Sequence, residues 1–301
     1  MPSALLMLPA LALLALVYVL PLLRYGWLSL HASSVLTGLK PIANEGANWQ
    51  RLLQDARFWQ DAGQTLRFAI VSVGLELVLG LALALLLHRP LRGVQAAASS
   101  QAAPGLLRAL ILLPWALPTT VMALGWRWIL NDPNGPINAL IVAAGGSPYG
   151  FLSTPSTTWL FSALADAWKS TPFVALLLLA GLQSVPDDLE EALALEGAGR
   201  WQILRRLVLP LLAPYLALAA LFRLAQALGI FDLIQVLTGG GPAGSTESLA
   251  LYAYLTTMRF LDFGYGATIL LATFALLLLL ALPWLLWQRR LNAAGLGEAG
   301  R

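Results

Sequence analysis

The chain has 301 residues, 58% of them hydrophobic and 11% charged, with a mean hydropathy of +0.74. Soluble domains carry about 25% charged residues, so this composition excludes an ordinary water-soluble globule and makes the bilayer the natural solvent. The net charge of +3 comes from 18 basic residues scattered between apolar runs, which excludes a phosphate-binding stripe for nucleic acid; the absence of cysteine excludes disulfides, thiol catalysis and thiolate metal sites.

A spanning helix needs about 20 largely apolar residues. Residues 4–23, 68–87, 109–130, 159–182, 211–237 and 264–287 meet that length. The first stretch is uncharged and ends at Arg24. No basic residue precedes it and it exceeds the ~7–15-residue core of a signal peptide, so it reads as an uncleaved span. The second is bracketed by Arg67 and His88-Arg89-Pro90, with Glu76 as its only charge, and the third contains Pro114 and Pro118. Asp166, Lys169 and Pro172 interrupt the fourth, Arg223 and Asp232 the fifth. The last is free of charge and closed by Gln288-Arg289-Arg290. Between spans, residues 55–61 read as a short amphipathic helix at the interface, and residues 131–157 are rich in turn formers.

The expected architecture is therefore an all-α membrane protein of six transmembrane helices. Residues 1–66 hold the first helix and an extracytoplasmic segment, 67–290 the remaining five helices with a charged loop at 185–210, and 291–301 a tail. With six spans both termini share a side. Nine basic residues flank spans on that side against seven on the other, a bias that places both termini in the cytoplasm.

A charge at mid-bilayer costs about 2.5–3.5 kcal/mol on the insertion scale, so such residues face a bundle interior or a cavity. Asp166 and Lys169 are i, i+3 neighbours and are expected to neutralise each other. Glu76 and Arg223 have no partner in their own helices, so each either pairs across helices or lines a path.

The loop between the fourth and fifth spans is unlike its surroundings. Asp187, followed three residues later by Glu190, has the spacing of a capping box and starts a helix after Pro186. Leu189, Ala192, Leu193 and Glu196 share one face, and Gly197 supplies a left-handed stop. A second short helix is expected from Arg200 to Leu209. Two amphipathic helices at a glycine elbow make a compact knob; spacing alone leaves open whether it docks on a partner or lies along the membrane.

Glu191-Ala192, then Glu196-Gly197-Ala198, then Leu209-Pro210 and Pro214 resemble the EAA motif of permease subunits in ABC importers. The similarity extends to Leu113-Pro114-Trp115-Ala116-Leu117-Pro118 and to Phe231-Asp232 through Leu237-Thr238-Gly-Gly-Gly-Pro242, which are similar to the carbohydrate-uptake branch, the maltose and glycerol-phosphate type. Glu196 departs from the aspartate most members carry, keeping the charge with one more methylene. The resemblance covers roughly residues 5–290. It implies a type I importer (MetI-like) permease fold in a bacterial-type inner membrane. It makes Glu191, Ala192, Glu196, Gly197 and Ala198 the coupling helix that docks on a cytoplasmic ATPase. The implied partners are a second homologous permease, a dimer of ATPase subunits and an extracytoplasmic solute-binding protein. ATP and magnesium would be bound by the ATPase, and no cofactor by this chain. On sugar chemistry, Trp168, Gln226 and Asp232 are candidate contacts, with Glu76 and Arg223 candidates along the path.

Rival motifs are weaker. Gly239-Gly-Gly-Pro-Ala-Gly244-Ser-Thr has no lysine after Gly244 and no preceding strand, so it reads as a turn rather than a phosphate-binding loop; any ATP-driven role then needs a separate ATPase. Asp187-Asp188-x-x-Glu191 could open a magnesium–diphosphate site of a prenyltransferase-like enzyme, but no second acidic cluster exists to complete it. His31 and His88 lack metal-ligand spacing. An importer for a polyamine or phosphate and a secondary transporter remain alternatives to the sugar reading.

Overall fold

The computed structural model describes residues 2–97 and 110–298. Among the described residues five helices are long and apolar enough to span a bilayer, or six if one bent pair counts as a single span. The chain folds as two compact units, one of Met1–Thr65 with Glu247–Leu278 and the other of Leu66–Thr246 with Leu279–Arg301.

In the first unit α1 (Met7–Ser29) exposes apolar side chains all round, as a lipid-facing span does. A two-stranded hairpin follows, β1 (His31–Ala32) antiparallel to β2 (Ile42–Ala43). The amphipathic segment lies earlier than expected: α2 (Ala47–Gln54) is the short helix, whereas residues 56–61 form the first turns of α3 (Ala56–Ala97). Hydropathy sees only the apolar part of α3 and misses the charged turns leading into it.

Asn48 of α2 donates to the carbonyls of Ser29 and His31, each at 3.0 Å. Gly264 lies so close that a Cβ there would stand 2.1 Å from His31 O. The remaining elements are α11 (Leu249–Tyr254) with its π-helical turn Leu255–Arg259, and the start of α12 (Phe263–Glu298). Leu52, Phe58, Leu249, Tyr252, Tyr265 and Ile269 form the apolar core of this unit.

Around that core runs a polar belt. Arg57 donates to Glu247 at 2.6 and 3.3 Å, and Arg51 to Asp262 at 2.8 Å while lying 3.8 Å over the ring of Tyr265. Asp55 accepts from the hydroxyls of Tyr252 and Tyr265 and from the Arg57 N–H. Burial pushes the Asp55 carboxyl up, but those hydrogen bonds more than offset it and hold it below the ordinary carboxylate value.

The second unit carries the interrupted spans. α4 (Leu110–Ala116) and α5 (Thr119–Ile129) meet at a 98° bend. Pro118 explains it: the ring blocks helical continuation, and the residue before it is driven out of the helical region. α6 (Pro136–Ala143) sits in the turn-rich connection. α7 (Pro155–Leu182) starts four residues before the expected span, with Thr154 as N-cap accepting from Thr157 N–H.

After α8 (Asp187–Leu195), Arg200–Ile203, a π-helical turn Leu204–Val208 and Leu209–Leu228 run on as one helical span, α9 (Arg200–Leu228). The expected second short helix is thus the beginning of the fifth span. That span also ends early: Gly229 terminates it, and Asp232–Leu237 form a separate short helix, α10. The segment 238–246 is the expected turn, with the Thr238 and Thr246 hydroxyls 2.8 Å apart.

α3, α7 and α9 build the apolar core of this unit from Ala84 and Leu87, Val174, Leu178 and Leu182, and Val208 and Leu212. Lipid tails are as apolar as these side chains, so close backbone approach drives the packing. Gly80 permits it between α3 and α7, where an added Cβ would meet Val174 Cγ1 at 2.5 Å; Gly181 does the same against Leu212 and Tyr215 of α9, at 2.7 Å.

Candidate functional site

Two features of the second unit carry chemistry. One is a buried ionic network. Arg223 of α9 donates to Glu76 of α3 through Nε at 2.5 Å and Nη2 at 2.8 Å, to Asp166 of α7 through Nη2 at 3.1 Å, and to Gln226 through Nη1 at 2.5 Å. The Ser72 hydroxyl lies 2.7 Å from Asp166 and 3.1 Å from Glu76. The Glu76 side chain is fully buried and Arg223 is 6% exposed. A paired guanidinium is the form in which such charges survive without water.

Glu76 and Arg223, each alone in its own helix, therefore pair across helices. Asp166 is not neutralised by Lys169 as i, i+3 spacing suggested: Arg223 and Ser72 hold it instead.

Beside this network lies a half-open cavity of about 370 Å³. The breaks in the chain create it. The bend at Pro118 presents Trp115 and Thr119, α7 presents Asp166, Lys169 and Ser170, and the end of α9 presents Arg223 and Gln226. Asp232 enters as the first residue of α10, which Arg127 of α5 holds through a 3.3 Å bond to the Val236 carbonyl. Of the residues expected along a path, Arg223, Gln226 and Asp232 line the cavity and Glu76 stands behind Arg223.

Trp168 is not among the lining residues. It packs edge-on against Trp126, ring centroids 5.9 Å apart. The aromatic residues at the cavity are Phe231 and Trp115, the latter stacked on Phe173 at 5.5 Å. Lys169 was read only as a neutralising partner. Counted from Asp166, Lys169 at i+3 and Ser170 at i+4 fall on one face of α7.

The other feature is the knob. The helix begins at Asp187, directly after Pro186, as expected. The stop is as expected: Gly197 has φ +84°, its N–H reaches the Ala194 carbonyl at 3.0 Å, and the Ala198 N–H reaches Leu193 at 3.0 Å. This is the Schellman pattern, which satisfies the orphan carbonyls of the last turn.

Gly199 N–H donates to Gln202 Oε1 at 2.9 Å and starts α9. Ile203, Leu204 and Val208 then seat the knob on the core. Glu191, Ala192, Glu196 and Gly197 are exposed and Ala198 is half-buried. Leu195 is 90% and Trp201 68% exposed. Acidic and apolar groups are thus held open on a fixed turn.

The sequence matches the family described as binding-protein-dependent transport system inner membrane component over residues 90–294. The chain belongs to that family. It is 39% identical over 281 residues to the trehalose/maltose transport system permease protein MalF of Thermococcus litoralis, covering 93% of this chain and 91% of the relative. It is 35% identical to the sulfoquinovosyl glycerol transport system permease protein SmoG of Agrobacterium fabrum, covering 91% and 86%. A bacterial ABC transporter that imports the acidic polysaccharide alginate has the same fold, with a TM-score of 0.79 at 19% identity over 96% of this chain and 95% of that one. This inner-membrane component thus has the type I importer permease fold.

Proposed function

We propose that the chain is the permease subunit of an ATP-driven importer that moves a sugar or glycoside into the cytoplasm. The observation that carries the substrate class is the 39% identity, over 93% of the chain, to a trehalose/maltose permease. Identity of 35% to a permease for another glycoside supports the same class.

In this reading the sugar arrives on an extracytoplasmic binding protein and passes through a path bordered by Trp115, Lys169, Gln226 and Asp232. A second homologous permease completes the pathway, and two ATPase subunits bind ATP and magnesium. Both termini and the knob face the cytoplasm. Glu191, Ala192, Glu196, Gly197 and Ala198 take the ATPase's motion, which tilts the core helices from inward-open to outward-open. The exposed charge of the knob and its fixed seat on α9 support that role.

The test is to purify the complex through this chain from its native membrane, identify what accompanies it, and measure its ATPase with a panel of sugars. Co-purification of a second permease and an ATPase, with stimulation by a sugar-loaded binding protein, is the expected result. A chain that purifies alone, or an ATPase stimulated only by a non-sugar solute, would overturn the reading.

A further inference from the structure

We propose that the cavity beside Arg223 selects an uncharged glycoside and rejects an acidic one, with Asp232 and Lys169 as its specificity-determining pair. The inference rests on the reading of that cavity as the sugar's path, and it decides between the neutral and acidic solutes named for the relatives.

Charge balance carries it. Two cations, Lys169 and Arg223, and two carboxylates, Asp166 and Asp232, line the cavity, and Glu76 behind Arg223 adds a third negative charge. Arg223 has no charge to spare. Four of its five N–H groups are spent on Glu76, Asp166 and Gln226. Lys169 shares the cavity wall with both Asp166 and Asp232. An anionic sugar would leave water for a site that already carries more negative than positive charge, and burial of a further negative charge there is strongly unfavourable.

A neutral sugar meets a fitting set of partners. Its hydroxyls can donate to the exposed Asp232 carboxylate and accept from the Lys169 ammonium and the Ser170 hydroxyl. The Trp115 ring, stacked through one face on Phe173, offers an apolar surface for a pyranose.

The experiment measures uptake of radiolabelled trehalose and maltose, and of their mono-uronates, by cells carrying the complete importer. Wild type is compared with Asp232→Asn, Asp232→Glu and Lys169→Gln, with membrane insertion checked by blot. Wild type should carry a neutral disaccharide and under about a tenth as much uronate. Asp232→Asn removes one negative charge from the cavity wall and should raise the uronate-to-neutral ratio about fivefold. Asp232→Glu should keep the wild-type ratio, and Lys169→Gln should lower it.

Wild-type uptake of uronates at the neutral rate, or a ratio unmoved by Asp232→Asn, would overturn the proposal. If none of the four sugars enters while another solute does, the sugar reading itself falls and this inference with it.

Discussion

Arg223 and Glu76, 147 positions apart in the chain, face each other through two parallel N–H···O bonds with neither side chain open to water. Fork-to-fork pairing fixes direction as well as distance. It ties α9 to α3 at the height of the cavity, and Asp166 brings in α7.

Removing one member strands the other charge. Arg223→Ala or Glu76→Ala should therefore cost about 3–5 kcal/mol, seen as a lower melting temperature of the detergent-solubilised protein. Glu76→Gln, which keeps the shape and loses the charge, should be milder. A melting curve unchanged in Arg223→Ala would show the pair to be idle.

Gly80 tests the packing of α3 on α7. With no room beside Val174, Gly80→Leu should cost about 1–3 kcal/mol by overpacking and reduce the folded yield in fluorescence-detected size-exclusion chromatography. Val174→Ala should restore part of that loss in the double variant, because the clash is with the Val174 side chain. Additive losses would place the strain elsewhere.

At the knob, Glu191→Lys and Gly197→Leu should abolish uptake with membrane insertion intact. For Gly197 the physical reason is the left-handed φ of +84°, which an L side chain occupies at a cost of about 1–3 kcal/mol. The elbow then opens or shifts. Full uptake by both variants would remove the knob from the coupling path.

Asp55 gives a pH dependence. Its carboxyl lies below the ordinary value of 3.8 in the folded chain, so the folded state favours the ionised form. Its stabilisation is fully present above pH ~4 and is lost as pH falls below that through the folded value. Asp55→Asn should destabilise the protein at pH 7, and its melting temperature should converge with that of wild type below pH ~4. A gap that stays constant with pH would assign the effect to shape rather than charge.

Hydropathy located the five long apolar helices and the bent pair of the described residues, because about 20 apolar residues in a row have no stable place in water. It failed wherever a helix left the bilayer or broke inside it. The charged turns from Ala56 of α3 and the run from Arg200 into α9 are helical but polar, so each was read as something separate. Gly229 and Pro118 break apolar stretches that composition sees as continuous.

The knob was legible because Gly197 and its neighbours act within a dozen residues. The cavity was less so. Along spans that are apolar on every side, spacing does not say which face turns inward, so Trp168 was chosen where Trp115 lines the site. Pairing suffered for the same reason: Lys169 was the partner that sequence distance favours, while Asp166 found Arg223, 57 positions away.

The 29-residue run of α9 makes the knob and the ion network two ends of one lever. At about 1.5 Å per residue it is roughly 40 Å long, so a tilt of ~10° about its middle swings each end by some 4 Å. Arg200 and Arg223 would move in opposite directions, and the pocket wall would answer the knob with no intermediary but backbone.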